Sequence, residues 1–134
     1  MSGAPPITWI VIAHGSRATD LVDAHQQVCD AVQARVGDEV SVAAAYLELT
    51  EPSIPDAIRQ AVAVGATAIV LVPYFLHIGN HTRRDLPEIL AAARAEHPGV
   101  DLVMADHLGL DSRLVELVVD RASAARATLG GTSS

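Results

Sequence analysis

The sequence predicts a single α/β domain in which helices flank a four-stranded parallel sheet to give three layers. Four β-branched or aliphatic runs alternate with four segments whose apolar residues recur at helical spacing. This alternation favours parallel strands joined by right-handed crossovers. At 134 residues the chain has the length of one domain and contains no internal linker or repeat. We expect the domain to span residues 1–134, with a core at about 7–126 and flexible ends at 1–6 and 127–134.

The first three elements are a strand, a helix and a strand. Residues 7–13 form a β-branched run that ends at a glycine-containing loop, which predicts a buried strand. Residues 20–36 place apolar side chains at helical spacing, and Gly37 provides a stop for this first helix. Residues 40–49 return to an apolar run, which predicts a second strand that continues to Leu49.

The second helix and the third strand follow. Ser53 and Asp56 resemble an N-terminal capping box, which predicts a helix that ends at Gly65. Thr67–Val72 is predicted as the third strand. The stretch after it, which runs to about Asp85, is predicted as a loop that holds two histidines and two arginines.

The last third of the chain supplies a helix, a strand and a helix. The third helix is predicted over about Leu86–Glu96, with Pro87 in the first turn, where its missing N–H is tolerated. Val100–Ala105 is predicted as the fourth strand. Asp111 is a good N-cap for a final amphipathic helix, and the tail at 130–134 is expected to fray.

Composition excludes several classes of protein. The formal net charge is -7, and all nine positive charges are arginines, so a basic stripe that would bind nucleic acid is absent. The apolar run Ile7–Ala13 is too short to cross a bilayer, and no signal-peptide pattern precedes it, so we expect no membrane association. The single cysteine, Cys29, excludes an internal disulfide and fits a reducing cytoplasm. Walker, dinucleotide-binding and Gly-x-Ser-x-Gly motifs are absent.

Four histidines and one acid fall at or just after the ends of the predicted strands. The carboxyl ends of parallel strands meet at one edge of the sheet, where open α/β folds bind ligands. These residues are His14, Glu48, His77, His81 and His107. Imidazole ligands suit iron, cobalt, nickel or zinc, and histidine also takes up a proton near neutral pH. The pattern therefore predicts an open site that handles both a loosely held metal ion and protons.

Each candidate also has a structural interpretation. The loop at residues 14–16 is typical of a simple turn or of an anion-binding loop whose N–H groups face a phosphate. Glu48 fits a solvated loop acid equally well. We interpret His25 as a hydrogen-bonded core histidine and Cys29 as a small buried hydrophobe. His97 is expected at the opposite edge of the sheet, away from the candidate site.

Three motifs occur in order along the chain: His14–Arg17, Leu47–Ile54 and Val72–Pro87. Together with the residues around them, from about 7 to 122, they resemble the class II chelatases, in particular short-form sirohydrochlorin cobaltochelatase and ferrochelatase. The resemblance implies ATP-independent insertion of Co²⁺ or Fe²⁺ into sirohydrochlorin, in cobalamin or siroheme biosynthesis. It also implies a chelatase-like fold built as a flavodoxin-like half. A homodimer is implied because longer members carry two such halves in one chain.

The resemblance also implies roles for individual residues. His14 and His81 match the two metal-handling histidines of the family, and Glu48 matches its active-site acid. Sirohydrochlorin is a polycarboxylate, so we expect loop N–H groups and arginine forks to bind its acid groups. The expected substrate-binding residues are Gly15, Ser16, Arg17, Thr82, Arg83 and Arg84. The divalent metal, Co²⁺, Fe²⁺ or Ni²⁺, is a substrate, and we expect no permanently bound cofactor.

Two other functions stay open from the sequence. The first is a carrier of tetrapyrrole or metal that has the same fold and no catalytic activity. The second is a small nucleotide- or phosphate-binding domain, which would bind phosphates without metal dependence. The presence of His14, Glu48 and His81 favours the enzyme. His77 and His107 depart from the family pattern, and the sequence assigns them no role.

Overall fold

A computed structural model describes residues 5–130 and confirms the predicted α/β class. The strands are β1 (Ile7–Ala13), β2 (Val40–Tyr46), β3 (Ala68–Pro73) and β4 (Asp101–Met104). The helices are α1 (Thr19–Val36), α2 (Ile54–Ala63), α3 (Asn80–Glu96) and α4 (Ser112–Gly130), with a short 3₁₀ turn at Gly37–Glu39 before β2. All strand pairs are parallel, and the order across the sheet is β2-β1-β3-β4.

The sheet buries its two faces against different helices. Successive strand side chains point to opposite faces, and alternate residues such as Ile10, Ile69 and Leu71 are fully buried in a core shared with α2 and α3. The other face of β1 and β2 is covered by α1, on which His25 and Cys29 are buried. His25 Nε2 lies 2.9 Å from the carbonyl oxygen of Val11, which confirms the interpretation of this histidine as a core residue.

The second strand is shorter than predicted. It ends at Tyr46, whereas the sequence pattern predicts strand as far as Leu49. Leu49 has a φ of 66°, a left-handed conformation that a strand residue cannot adopt. The apolar pattern continues past the strand because Leu47 packs beside the core from the exit loop.

The third helix begins six residues earlier than predicted, at Asn80. His81, Thr82, Arg83 and Arg84 are therefore helical, and the predicted loop that contains them is wrong. Proline is best tolerated in the first turn of a helix, so Pro87 predicts that the helix begins close to it. In the structure it lies in the helix interior, where it has no N–H to donate to the carbonyl of Arg83.

The final helix forms as predicted, but nothing in the described part of the chain covers it. None of its residues is buried, and Val118 is 67% exposed. Val118 belongs to the apolar stripe of α4, which is formed by Leu114, Val115, Leu117, Val118 and Ala122. The sheet is also open on one side, where Val103 of β4 is 50% exposed. The predicted ends fall partly outside the described residues, which exclude 1–4 and 131–134, whereas residues 127–130 continue α4.

Candidate active site

The exit loops of β1 and β2 are hydrogen-bonded to each other. The backbone N–H of Glu48 donates to the carbonyl of His14 at 3.0 Å. The Thr50 side chain joins Ser16 twice: its Oγ1 accepts from the Ser16 N–H at 2.9 Å and donates to the Ser16 carbonyl at 2.8 Å. Gly15 has a φ of 103°, which favours glycine, and its Cα faces the Glu48 carbonyl oxygen. These contacts fix the backbone of His14 next to that of Glu48.

A cleft of about 600 Å³ lies between α2 and α3 and reaches the carboxyl ends of β1 and β2. His14, Glu48 and His81 all line it, so the structure brings together the three residues that sequence reasoning selected. His14 and Glu48 come from the exit loops, and His81 comes from the first turn of α3. The His14 ring rests on Phe75, with 4.3 Å between ring centroids. This packing holds the imidazole in place although the residue is exposed.

One face of α3 makes the cleft acidic. The cleft side of α3 carries three acids in addition to His81, namely Asp85, Glu88 and Glu96. The successive residues of this set are four, three and eight positions apart, which places them on the same side of a helix. All of them line the cleft. Together with Glu48, four carboxylates face this space, and the single arginine among the lining residues is Arg59. The cleft therefore has a negative electrostatic potential that favours cations.

Arg59 joins α2 to α3 at the far end of the cleft. Its Nε donates to Glu96 Oε2 at 2.6 Å, and its Nη1 donates to Asp56 at 2.9 Å. The hydrogen bond from Arg59 holds the pKa of Glu96 below its ordinary value. His97 lies beside the pair, with Nε2 3.5 Å from Glu96 Oε2. Arg59 and Glu96 belong to no sequence motif, so the sequence does not single them out. The sequence also predicts His97 away from the site, whereas His97 lines the same cleft.

The expected substrate-binding residues divide among different surfaces. Thr82 lines the cleft, but Arg17, Arg83 and Arg84 are not among the lining residues. The Arg83 guanidinium instead donates to the carbonyl of Ile78 at 3.3 Å and lines a separate cavity of about 310 Å³.

The loop after β1 offers fewer free donors than its sequence suggests. The Ser16 N–H is already bonded to Thr50, so it is not free to bind a carboxylate. The Ser16 hydroxyl oxygen accepts from the N–H of Ala18 at 3.0 Å, which leaves the hydroxyl hydrogen available as a donor.

A second cavity of about 380 Å³ adjoins the cleft on the α1 side of the sheet. Its walls come from the β1 exit loop, the first half of α1, and residues at the ends of β2 and β3. His14 lines this cavity as well as the cleft. The other lining residues include Gly15, Ser16, Leu21, Ala24, His25, Tyr46, Tyr74 and Phe75.

The two remaining histidines at this edge lie outside the cleft. His77 is exposed and lines none of the three cavities, and His107 lines the cavity that contains Arg83. Among residues 5–130, no three histidine, cysteine, aspartate or glutamate side chains are grouped closely enough to hold a metal ion. No helix in the same range has the length and apolar character needed to cross a membrane.

The sequence profile of the CbiX family matches residues 8–125. Among curated proteins, a sirohydrochlorin cobaltochelatase from Methanococcus aeolicus is 30% identical, over 84% of this chain and 95% of its own length. A chloroplastic sirohydrochlorin ferrochelatase from Arabidopsis thaliana is 33% identical over 84% of this chain, which corresponds to 49% of the plant protein. The chain thus spans nearly the whole of one relative and about half of the other.

Solved structures show the same relationship. A CbiX protein from Marinobacter aquaeolei superposes with a TM-score of 0.80 at 28% identity, over 92% of this chain and 99% of its own. The sirohydrochlorin chelatase SirB from Bacillus subtilis, solved in complex with cobalt, superposes with a TM-score of 0.79 at 28% identity. That match covers 88% of this chain and 50% of SirB. The family profile spans most of the domain, and the chain belongs to the CbiX family.

Proposed function

We propose that this protein inserts a divalent metal ion, Co²⁺ or Fe²⁺, into sirohydrochlorin without ATP, in cobalamin or siroheme biosynthesis. One observation carries the proposal: His14, Glu48 and His81 line the same cleft, although they lie on three separate elements. The relatives described above, which are named for this activity, support it. The metal ion is a substrate, and the proposed reaction needs no permanently bound cofactor.

Insertion exchanges two protons for one metal ion. The metal enters the ring as a dication, and two pyrrole N–H protons leave, so the site must deliver a cation and accept protons. In the proposed mechanism His14 and His81 present the metal to the ring, and Glu48 helps to remove the protons. A site with a small number of protein ligands suits this task, because the remaining coordination positions of the metal must pass to the ring nitrogens. The contribution of the protein is orientation, metal desolvation and proton removal.

The charge of the cleft suits the delivery of the metal. Four carboxylates face the cleft, and one of them, Glu96, is kept anionic by the hydrogen bond from Arg59. A negative cleft raises the local concentration of a dication and orients its approach. The metal ion would then meet His81 at one end of the acidic face of α3.

The carboxylates of sirohydrochlorin need hydrogen-bond donors, which the carboxylates of the cleft cannot supply. We infer that Gly15, Ser16 and Arg17 serve from the β1 exit loop, and that Thr82, Arg83 and Arg84 serve from the first turns of α3. Arginine forks suit this role because they bind carboxylates through two parallel hydrogen bonds. Arg17 and Arg84 are exposed, and their guanidinium groups form no hydrogen bond or ion pair with other residues of the 5–130 range, so both side chains are available.

We also infer a homodimer. The apolar stripe of α4 and the open face of β4 have no packing partner among residues 5–130, as the exposure of Val118 and Val103 indicates. Most of the stability of a helix in a protein comes from the packing of its apolar face, so we infer that α4 has a packing partner. A second copy of the chain would supply one. The free buried thiol of Cys29 supports the proposed cytoplasmic location.

An anaerobic absorbance assay tests the proposed function. Purified protein is mixed with sirohydrochlorin and Co²⁺, Fe²⁺ or Ni²⁺ in turn, and the rate is compared with the uncatalysed rate and with His14→Ala. The expected result is faster insertion by the wild type, which is lost in the variant. A spectral shift on mixing without acceleration by any metal would instead identify a carrier. Binding of inorganic phosphate, with no response to sirohydrochlorin, would identify a phosphate-binding domain.

A further inference from the structure

The second cavity differs from the cleft in charge. Its lining, as far as residues 5–130 provide it, contains no aspartate, glutamate or arginine. Its walls include the rings of Tyr46, Tyr74 and Phe75 together with aliphatic side chains of α1. The cleft, by contrast, is lined by four carboxylates and by Arg59, which is already bonded to Glu96 and Asp56.

His14 stands between the two spaces. It lines both of them, and its ring packs on Phe75, which belongs to the wall of the second cavity. A ligand in the second cavity and a cation in the cleft would therefore meet at the same imidazole. The hydrogen bonds between the β1 and β2 exit loops fix the backbone at this point.

The two substrates have opposite electrostatic requirements. A hydrated dication gains from the carboxylates of the cleft, whereas a polycarboxylate would be repelled by them. The flat conjugated ring of sirohydrochlorin instead favours aromatic and aliphatic surfaces that shed water. The second cavity offers such surfaces and adds no opposing charge.

We propose that one side of the sirohydrochlorin ring is seated in the second cavity, so that the metal ion reaches it from the acidic cleft past His14. The proposal rests on the proposed function and adds the face of the protein that binds the macrocycle. A cavity of 380 Å³ lies within the range of small-molecule sites, about 300–1,000 Å³. It holds only part of a tetrapyrrole, and the remainder would extend over Leu21 and Tyr74, which are 59% and 41% exposed.

Two matched substitutions test this assignment. Ala24 of α1 lines the second cavity, Ala92 of α3 lines the cleft, and both are exposed helical alanines. Ala24→Trp and Ala92→Trp each place the same bulky side chain into one of the two spaces. Affinity for metal-free sirohydrochlorin is measured by anaerobic fluorescence titration without any metal. Thermal unfolding of both variants checks that the fold is kept.

The expected result is that Ala24→Trp weakens binding of the metal-free ring about tenfold, as steric blocking of a packed site does. Ala92→Trp is expected to keep the wild-type affinity for the ring and to raise the KM for Co²⁺. Equal weakening by both variants, weakening by Ala92→Trp alone, or no weakening by either would overturn the assignment.

A second variant, at a different residue, tests the proposal even if Ala24→Trp does not fold. Tyr74→Leu removes an aromatic ring from the cavity mouth at a partly exposed position, and it should weaken ring binding while the melting temperature stays close to that of the wild type. Unchanged affinity in a folded Tyr74→Leu protein would count against the cavity. Failure of the proposed function is seen separately, as a wild-type protein that binds the ring but does not accelerate metal insertion.

Discussion

A Cβ atom on Gly15 would overlap the backbone carbonyl oxygen of Glu48. This close approach brings the exit loops of β1 and β2 together, and it combines with a φ of 103° that disfavours any other residue. The distance between the backbones of His14 and Glu48 therefore depends on the absence of a side chain at Gly15. The contact is backbone to backbone, so a rotamer change cannot relieve the overlap.

Gly15→Ala is expected to force the two loops apart and to lower insertion activity about 100-fold, because small displacements of reacting groups cost that much. Gly65→Ala is the matched control. Gly65 has a similar φ of 109° with no atom within 4 Å of its Cβ position, so its alanine variant carries only the backbone strain, about 1–2 kcal/mol. Both variants are compared by urea unfolding and by insertion rate. Equal activity in the two variants would show that the contact with Glu48 does not matter.

Thr50→Val should destabilise the fold by about 1–3 kcal/mol, because it removes both hydrogen bonds to Ser16 and leaves a half-buried N–H unpaired. Thr50→Ser keeps the hydroxyl and should stay close to the wild type. Chemical denaturation measures both variants. A Thr50→Val protein as stable as Thr50→Ser would mean that water replaces the lost bonds.

The pair of Arg59 and Glu96 predicts a pH dependence of stability. Because the hydrogen bond from Arg59 lowers the pKa of Glu96, the pair stabilises the fold above the ordinary pKa of 4.5. This stabilisation is lost as the pH falls through the lower folded-state pKa. Glu96→Gln should therefore be less stable than the wild type at pH 7 and equal to it in strong acid. Thermal melts across this range check the prediction, and Glu96→Gln should have no further effect in an Arg59→Gln background.

Val118→Glu tests the proposed dimer. It places a charge at the centre of the exposed apolar stripe of α4, which should convert the dimer to a monomer in light-scattering measurements. Ser123→Glu adds the same charge to the opposite side of the helix and should leave the dimer intact. A wild type that elutes as a monomer at micromolar concentration, or a Val118→Glu protein that stays dimeric, would refute this role of α4.

The candidate site could be predicted from the sequence where it follows strand ends. Apolar runs locate β1 and β2, and parallel topology then brings their exits to one edge. This argument predicts that His14 and Glu48 lie near each other, and in the structure both line one cleft. The start of α3 could not be predicted, because Pro87 in a helix interior runs against its usual position.

The sequence does not predict contacts between residues that are distant along the chain, or what packs on an exposed surface. Arg59 and Glu96 are 37 positions apart and have no motif, so only the packing of α2 beside α3 reveals their bond. His97 was expected at the opposite edge, but the cleft follows α3 for most of its length of about 25 Å and reaches both ends of the helix. The periodicity of α4 predicted a helix correctly, yet it cannot state what the apolar stripe packs against.

The measurement that tests the central claim most directly compares two histidine variants in the anaerobic insertion assay with Co²⁺. His81 lines the cleft and His77 does not, although both are exposed and lie within a few residues of each other. His81→Ala should lower kcat about 100-fold with an unchanged melting temperature, because it removes a group that handles metal and protons. His77→Ala should retain the wild-type rate. A folded His81→Ala protein with full activity would contradict the assignment of the cleft as the active site.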